Sequence, residues 1–191
     1  MTEPEPPSVV TPAPPPRGAF LLGLLRDWGF AIVVVLFALA TYNLLFGARP
    51  PPEGPAPHFA LSDLDGREVE LSAIGGEDGL VVLNFWFTAC RPCRAEIPEL
   101  TKFHVAHPEV PLYGVSTDAN VPLATLKHAS ERLGIGYPVL HDANGEVAGA
   151  YGVEVFPTTV VLREGRIVKG HVGALNQRGL EQLVAASEVD L

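Results

Sequence analysis

The chain has 191 residues and a formal net charge of −9. Residues 58–191 alone carry 10 Lys/Arg against 18 Asp/Glu with no basic run, which argues against a nucleic-acid partner. Its two cysteines, Cys90 and Cys93, sit three positions apart; a disulfide scaffold would use more of them, spread along the chain, so this pair points to local chemistry.

Twelve of the 19 prolines precede His58, so the packed domain is expected over 58–191, long enough to bury a core without staples. Residues 1–27 form a Pro-rich tail, and 1–16 read as disordered or polyproline-like. From Trp28 to Phe46 no residue is charged, and a helix of that length nearly crosses a hydrocarbon core of about 30 Å. Trp28 and Tyr42 lie near its ends, where interfacial aromatics are common. Arg17 and Arg26 before the stretch outnumber Arg49 after it, which favours a cytoplasmic N-terminus and a domain on the far side of the inner membrane, in the periplasm. A second reading is a signal peptide cleaved after the small-x-small run Ala38-Leu39-Ala40. Either one exports the domain. Residues 47–57, with five prolines, suit a semi-rigid spacer between anchor and domain.

Within the domain, Asp65-Gly66 between Phe59-Ala60-Leu61 and Val69-Glu70-Leu71 predicts a hairpin. Gly75-Gly76 and Gly79 mark a loop. Leu80 to Trp86 reads as a strand buried on both faces, and Arg94 to His107 as a helix stopped by Pro108. A strand over Pro111–Ser116, a helix over Leu123–Leu133 and a short strand at Val139-Leu140 follow. Asn144-Gly145 then turns into a short helix through Tyr151. Thr158–Leu162 and Ile167–Val172 flank a Glu164-Gly165 turn, and a last helix covers about Gln177–Ala186. Alternating strands and helices that end in a hairpin and a helix define an α/β chain with a mixed sheet.

The two cysteines fall where a buried strand gives way to a helix. Free N–H groups and the positive end of the helix dipole favour a thiolate at Cys90, so Cys90 reads as the nucleophile and Cys93 as the resolving thiol. Pro92 suits a first helical turn, where a missing N–H costs little, and Arg91 adds a positive charge between the thiols. A zinc site would need two more ligands, and the histidines at 58, 104, 107, 128, 141 and 171 read as scattered surface residues. A binding-module alternative is a metallochaperone that holds copper(I) between the thiolates; Met1 is the only methionine, which counts against it. A peroxiredoxin-like peroxidase would want Thr-x-x-Cys where this chain has Thr88-Ala89-Cys90.

Asn84-Phe85-Trp86 leading to Cys90-Arg91-Pro92-Cys93-Arg94-Ala95-Glu96-Ile97-Pro98-Glu99-Leu100 resembles the signature of the TlpA/ResA/CcmG group of membrane-anchored thioredoxin-like thiol–disulfide oxidoreductases. Leu64-Asp65-Gly66 and Phe156-Pro157-Thr158-Thr159 extend the likeness. The resemblance implies a thioredoxin-like fold with an added N-terminal hairpin and a βαβ insertion at about residues 110–150. It also implies a membrane anchor and a reducing role on protein disulfides outside the cytoplasmic membrane, often in cytochrome c maturation. Position by position it implies Cys90 and Cys93 as the redox pair, Glu96 as active-site carboxylate and Pro157 as a cis-proline that presents Phe156 to substrate. Trp86 would shape the site or serve as core aromatic. Ala89 departs from the aromatic that many relatives carry before the first cysteine. Thioredoxins proper bury an aspartate where this chain has Asn84, and an amide cannot move protons, so Glu96 is the available acid. From spacing alone Glu96 reads as a solvated helix residue that complements the dipole. No cofactor is expected. The absence of a dinucleotide fingerprint implies that electrons come from another protein, a membrane-embedded thiol donor.

Overall fold

A computed structural model describes residues 17–75 and 79–187; the expected Pro-rich stretch 1–16 and the loop residue Gly76 lie outside the described residues. The chain divides into two units, Met1–Gly47 and Ala48–Leu191. In the first, helix α1 covers Arg17–Phe46 and so begins ahead of the expected span. Its window Trp28–Leu45 is long and apolar enough to cross a membrane, and none of that window is buried.

The second unit is built on one eight-stranded sheet. In chain order the strands are β1 (Gly54–Pro55), β2 (Ala60–Asp63), β3 (Glu68–Glu70), β4 (Val81–Trp86), β5 (Leu112–Ser116), β6 (Val139–His141), β7 (Thr158–Arg163) and β8 (Arg166–Val172). They lie side by side as β1-β8-β7-β4-β5-β6-β2-β3. Strand β4 runs parallel to β5, and β5 to β6, while the β4–β7, β7–β8, β2–β6 and β2–β3 pairs are antiparallel. Helices α2 (Arg91–Ala106), α3 (Leu123–Leu133), α4 (Glu146–Ala150) and α5 (Gln177–Ala186) connect or follow the strands. This is the mixed α/β architecture expected, with β5-α3-β6-α4 filling the insertion.

All six residues of β4 are buried, which its apolar run requires of a strand covered on both faces. Because side chains alternate along a strand, Val81, Leu83 and Phe85 join a core with Tyr151, Val160 and Leu162 on one face. On the other face Val82 packs with Leu100, Phe103, Leu180 and Val184 of α2 and α5, and Trp86 packs with the cysteines. Asn84, between Val82 and Trp86, therefore points toward α2.

Three expectations need correction. Helix α2 starts at Arg91 rather than Arg94, because Cys90 caps it and Pro92 fits its first turn. The stretch 47–57 is not a free spacer throughout. Gly54 and Pro55 pair with Ile167 and Arg166 at the sheet edge, Ala56 N–H donates to the Gly165 carbonyl at 2.9 Å, and Pro51 and Ala56 are buried. Proline suits an edge strand as well as a spacer, so composition does not separate the two. His141 is not a surface residue: it ends β6, is buried, and its Nε2 lies 2.9 Å from the Asp118 carbonyl oxygen.

Candidate active site

At the C-terminal end of β4, where open α/β sheets present their functional crevices, the chain turns through Phe87–Ala89 into α2. Cys90 is the cap residue, in extended conformation, and its Sγ accepts the Cys93 N–H at 3.2 Å. Cys90 and Cys93 are joined as a disulfide with Cα atoms 5.3 Å apart. The sulfur of Cys90 thus occupies the place of a helix cap acceptor, where a negative charge is stabilised by free N–H groups. The two cysteines differ in access: Cys90 keeps 5% of its surface exposed and Cys93 none.

Around the pair lies an apolar cluster. Trp86, Leu126 and Val139 are buried with the cysteines, and Phe87, Leu64, Val121 and Phe156 pack on them partly exposed. Phe87 meets Phe156 edge to face at 5.3 Å between ring centres, so the loop before Cys90 and the loop before β7 close on one another. The Phe156–Pro157 peptide bond is cis. Among the described residues the Phe156 main chain has no hydrogen-bond partner, while Pro157 O accepts the Gly173 N–H at 2.8 Å. Trp86, expected as a substrate-facing residue or a core aromatic, is 1% exposed and floors the disulfide instead of facing outward. Its place as the last residue of a central strand, covered on both faces, explains this.

One helical turn beyond Cys93, Glu96 is buried, 3% exposed, where a solvated helix glutamate would be open. Its Oε1 accepts Asn84 Nδ2 at 2.8 Å and its Oε2 accepts the Leu175 N–H at 2.9 Å. Asn84 Nδ2 also reaches Thr159 Oγ1 at 3.2 Å, so the amide ties α2 to β7 through β4. Burial raises the Glu96 pKa to about 7, with the Leu175 and Asn84 donors pulling the other way. Asn84, read in the sequence only as a group unable to move a proton, proves to be a hydrogen-bond partner of Glu96.

A second acid was missed altogether. Asp118, just beyond β5, accepts the Thr88 N–H at 2.9 Å and the Thr88 hydroxyl at 2.6 Å. No motif or spacing marks it, because its link to Thr88 exists only once β4 and β5 lie in parallel register. Among the described residues, no group of three or more His, Cys, Asp or Glu converges as a metal site.

A closed two-residue-spaced disulfide at a strand-to-helix junction, with a buried carboxyl behind it and a cis-proline loop beside it, defines a thioredoxin-like thiol–disulfide oxidoreductase. The chain belongs to the AhpC/TSA family, whose pattern matches residues 52–171. It is 32% identical over 157 residues to the thiol–disulfide oxidoreductase ResA of Halalkalibacterium halodurans, covering 81% of this chain and 88% of that one. It is also 32% identical over 167 residues to ResA of Geobacillus thermodenitrificans, covering 87% and 91%. Among solved structures, a thioredoxin-family thiol:disulfide interchange protein of Chlorobium tepidum superposes with a TM-score of 0.58 at 26% identity, over 73% of this chain and 97% of that chain. A secreted Mycobacterium tuberculosis disulfide oxidoreductase homologous to E. coli DsbE gives 0.56 at 27% identity, over 67% and 95%. Relatives named as oxidoreductases do not favour the copper-holding alternative.

Proposed function

We propose that this oxidoreductase is a membrane-tethered reductant of protein disulfides that works outside the cytoplasmic membrane, in the setting of cytochrome c maturation. Reduced Cys90, as thiolate, attacks one sulfur of a substrate disulfide, and the substrate's second sulfur leaves as a thiolate. Cys93 then gives up its proton and attacks the Cys90 sulfur of the mixed disulfide. That step releases the first substrate sulfur and closes Cys90–Cys93. Two electrons pass to the substrate, and a membrane-embedded thiol donor returns the pair to its reduced form. In this reading Glu96 takes the Cys93 proton; the helical spacing of i and i+3 supports it, since such side chains share a helix face. The Phe156 main chain offers an extended substrate segment a strand-like partner beside Cys90.

The observation that carries the assignment is the place of Cys90 Sγ as the cap acceptor of α2, 3.2 Å from the Cys93 N–H, with Cys90 at 5% exposure and Cys93 at none. The apolar window of α1 supports the tether, and the Arg17/Arg26 excess over Arg49 supports a domain on the outer face. A Cys93→Ser variant should accumulate mixed disulfides that Cys90→Ser does not, and in intact spheroplasts an impermeant thiol label should reach reduced Cys90. Trapping by Cys90→Ser instead would reverse the roles, and labelling only after lysis would place the domain inside.

A further inference from the structure

The hydrogen bonds at the end of β5 bear on how Cys90 is held. Strands β4 and β5 run parallel and finish level, with Trp86 opposite Ser116, so the residues after each strand meet at the same sheet edge. Thr117 N–H donates to the Trp86 carbonyl at 2.9 Å, and this extends the pairing one residue past the strands. The next residue, Asp118, then stands beside the turn Phe87–Ala89 that delivers Cys90. Thr88 gives both its N–H and its hydroxyl to this one carboxylate, at 2.9 and 2.6 Å. Ser116 Oγ donates a third bond to it at 2.8 Å. Behind it, His141 Nε2 lies 2.9 Å from the Asp118 carbonyl oxygen. The Asp118 main chain is therefore held by His141 of β6 and its carboxylate by Ser116 of β5, and the carboxylate grips the turn two residues before Cys90. Cys90 N–H closes that turn on the Phe87 carbonyl at 3.1 Å.

We infer that Asp118 is a positioning residue that holds the Phe87–Ala89 turn and, through it, keeps Cys90 Sγ on the Cys93 N–H at the start of α2. The inference rests on the proposed assignment of Cys90 as nucleophile. A carboxylate suits the task because bonds to an ionised acceptor are stronger than neutral ones, and because two oxygens can take three donors at once. If the turn is released, the sulfur loses its fixed alignment with the helix N–H groups, and the thiolate is less favoured. The direction is diagnostic. A carboxylate that acted only through its charge would disfavour a nearby thiolate, so its removal would lower the Cys90 pKa; loss of positioning raises it.

The test is the rate of alkylation of Cys90 against pH in the reduced full-length chain, for the wild type, Asp118→Ala and Thr88→Val. Thr88→Val keeps the charge and the backbone N–H and removes only the hydroxyl bond. The expected result is a rise in apparent Cys90 pKa of about half a unit or more in Asp118→Ala, roughly threefold less thiolate near neutral pH, and a smaller rise in Thr88→Val. An unchanged Cys90 pKa in both variants, or a fall in Asp118→Ala, overturns the inference. If Asp118→Ala does not fold, Thr88→Val decides alone, and an unchanged pKa there is overturning. A wild type in which Cys90 alkylates no faster than Cys93 is a separate failure, one that removes the nucleophile assignment itself.

Discussion

Glu96 is pulled two ways at the scale of a single side chain. Burial favours its neutral form, while the N–H of Leu175 and the amide of Asn84 favour its charged form, and burial prevails. The folded pKa of about 7 stands above the ordinary value of 4.5. Its contribution to stability is thus fully present below pH 4.5 and is lost as pH rises through about 7. From 1.36 kcal/mol per pKa unit this amounts to on the order of 3 kcal/mol. Glu96→Gln should remove that part of the pH dependence, seen as the difference between wild type and variant in urea unfolding at pH 5 and pH 8. It should also lower the apparent thiol pKa values and slow disulfide reduction. Identical wild-type and variant profiles in both measurements would show that Glu96 plays no part. Nothing in the spacing announced this environment. Glu96 lies in the opening turns of a helix, and its burial depends on Asn84 in a strand twelve positions earlier and Leu175 in a loop far downstream. The family resemblance singled out Glu96; the residues that hold it came only from the fold.

Among the elements, β4 was the most legible, since a run of apolar residues between a glycine loop and the cysteines can be buried only as a central strand. Its partner β5 explains a less obvious residue. A Cβ at Gly114 would stand 3.0 Å from both Trp86 Nε1 and Tyr137 Cε2. The glycine thus gives room for the indole that floors the disulfide. Gly114→Ala should cost about 1–3 kcal/mol by overpacking. Denaturant titration should detect this, and an unaltered midpoint would mean that the two rings yield freely. The start of α2 lies three residues ahead of the expected Arg94 because the Cys90 sulfur caps the helix, a role that the side chain of a cysteine does not announce in a sequence. Strand β1 was invisible because its two residues lie in a proline-rich run and pair with β8, more than 100 residues away. In α2, Glu96 and Glu99, one turn apart, take the N–H groups of Leu175 and Gln177 and so tie the helix to the approach of α5. Such bonds between distant loops leave no periodic trace in a sequence.

Across the whole molecule, an apolar helix and an acidic oxidoreductase unit share one chain. The helix was legible from its lack of charge, and the unit from its alternating strands and helices. The family resemblance agreed with the fold that those elements adopt. The direction of electron flow is set by how far the α2 N-terminus and its surroundings stabilise the reduced pair relative to the disulfide. The central claim is that the pair works as a reductant of protein disulfides, and the reduction potential of Cys90–Cys93 tests it most directly. Equilibration of the protein in dithiothreitol or glutathione buffers should give a value well below about −200 mV. A value near about −120 mV, in the range of a strong dithiol oxidant, would contradict the account.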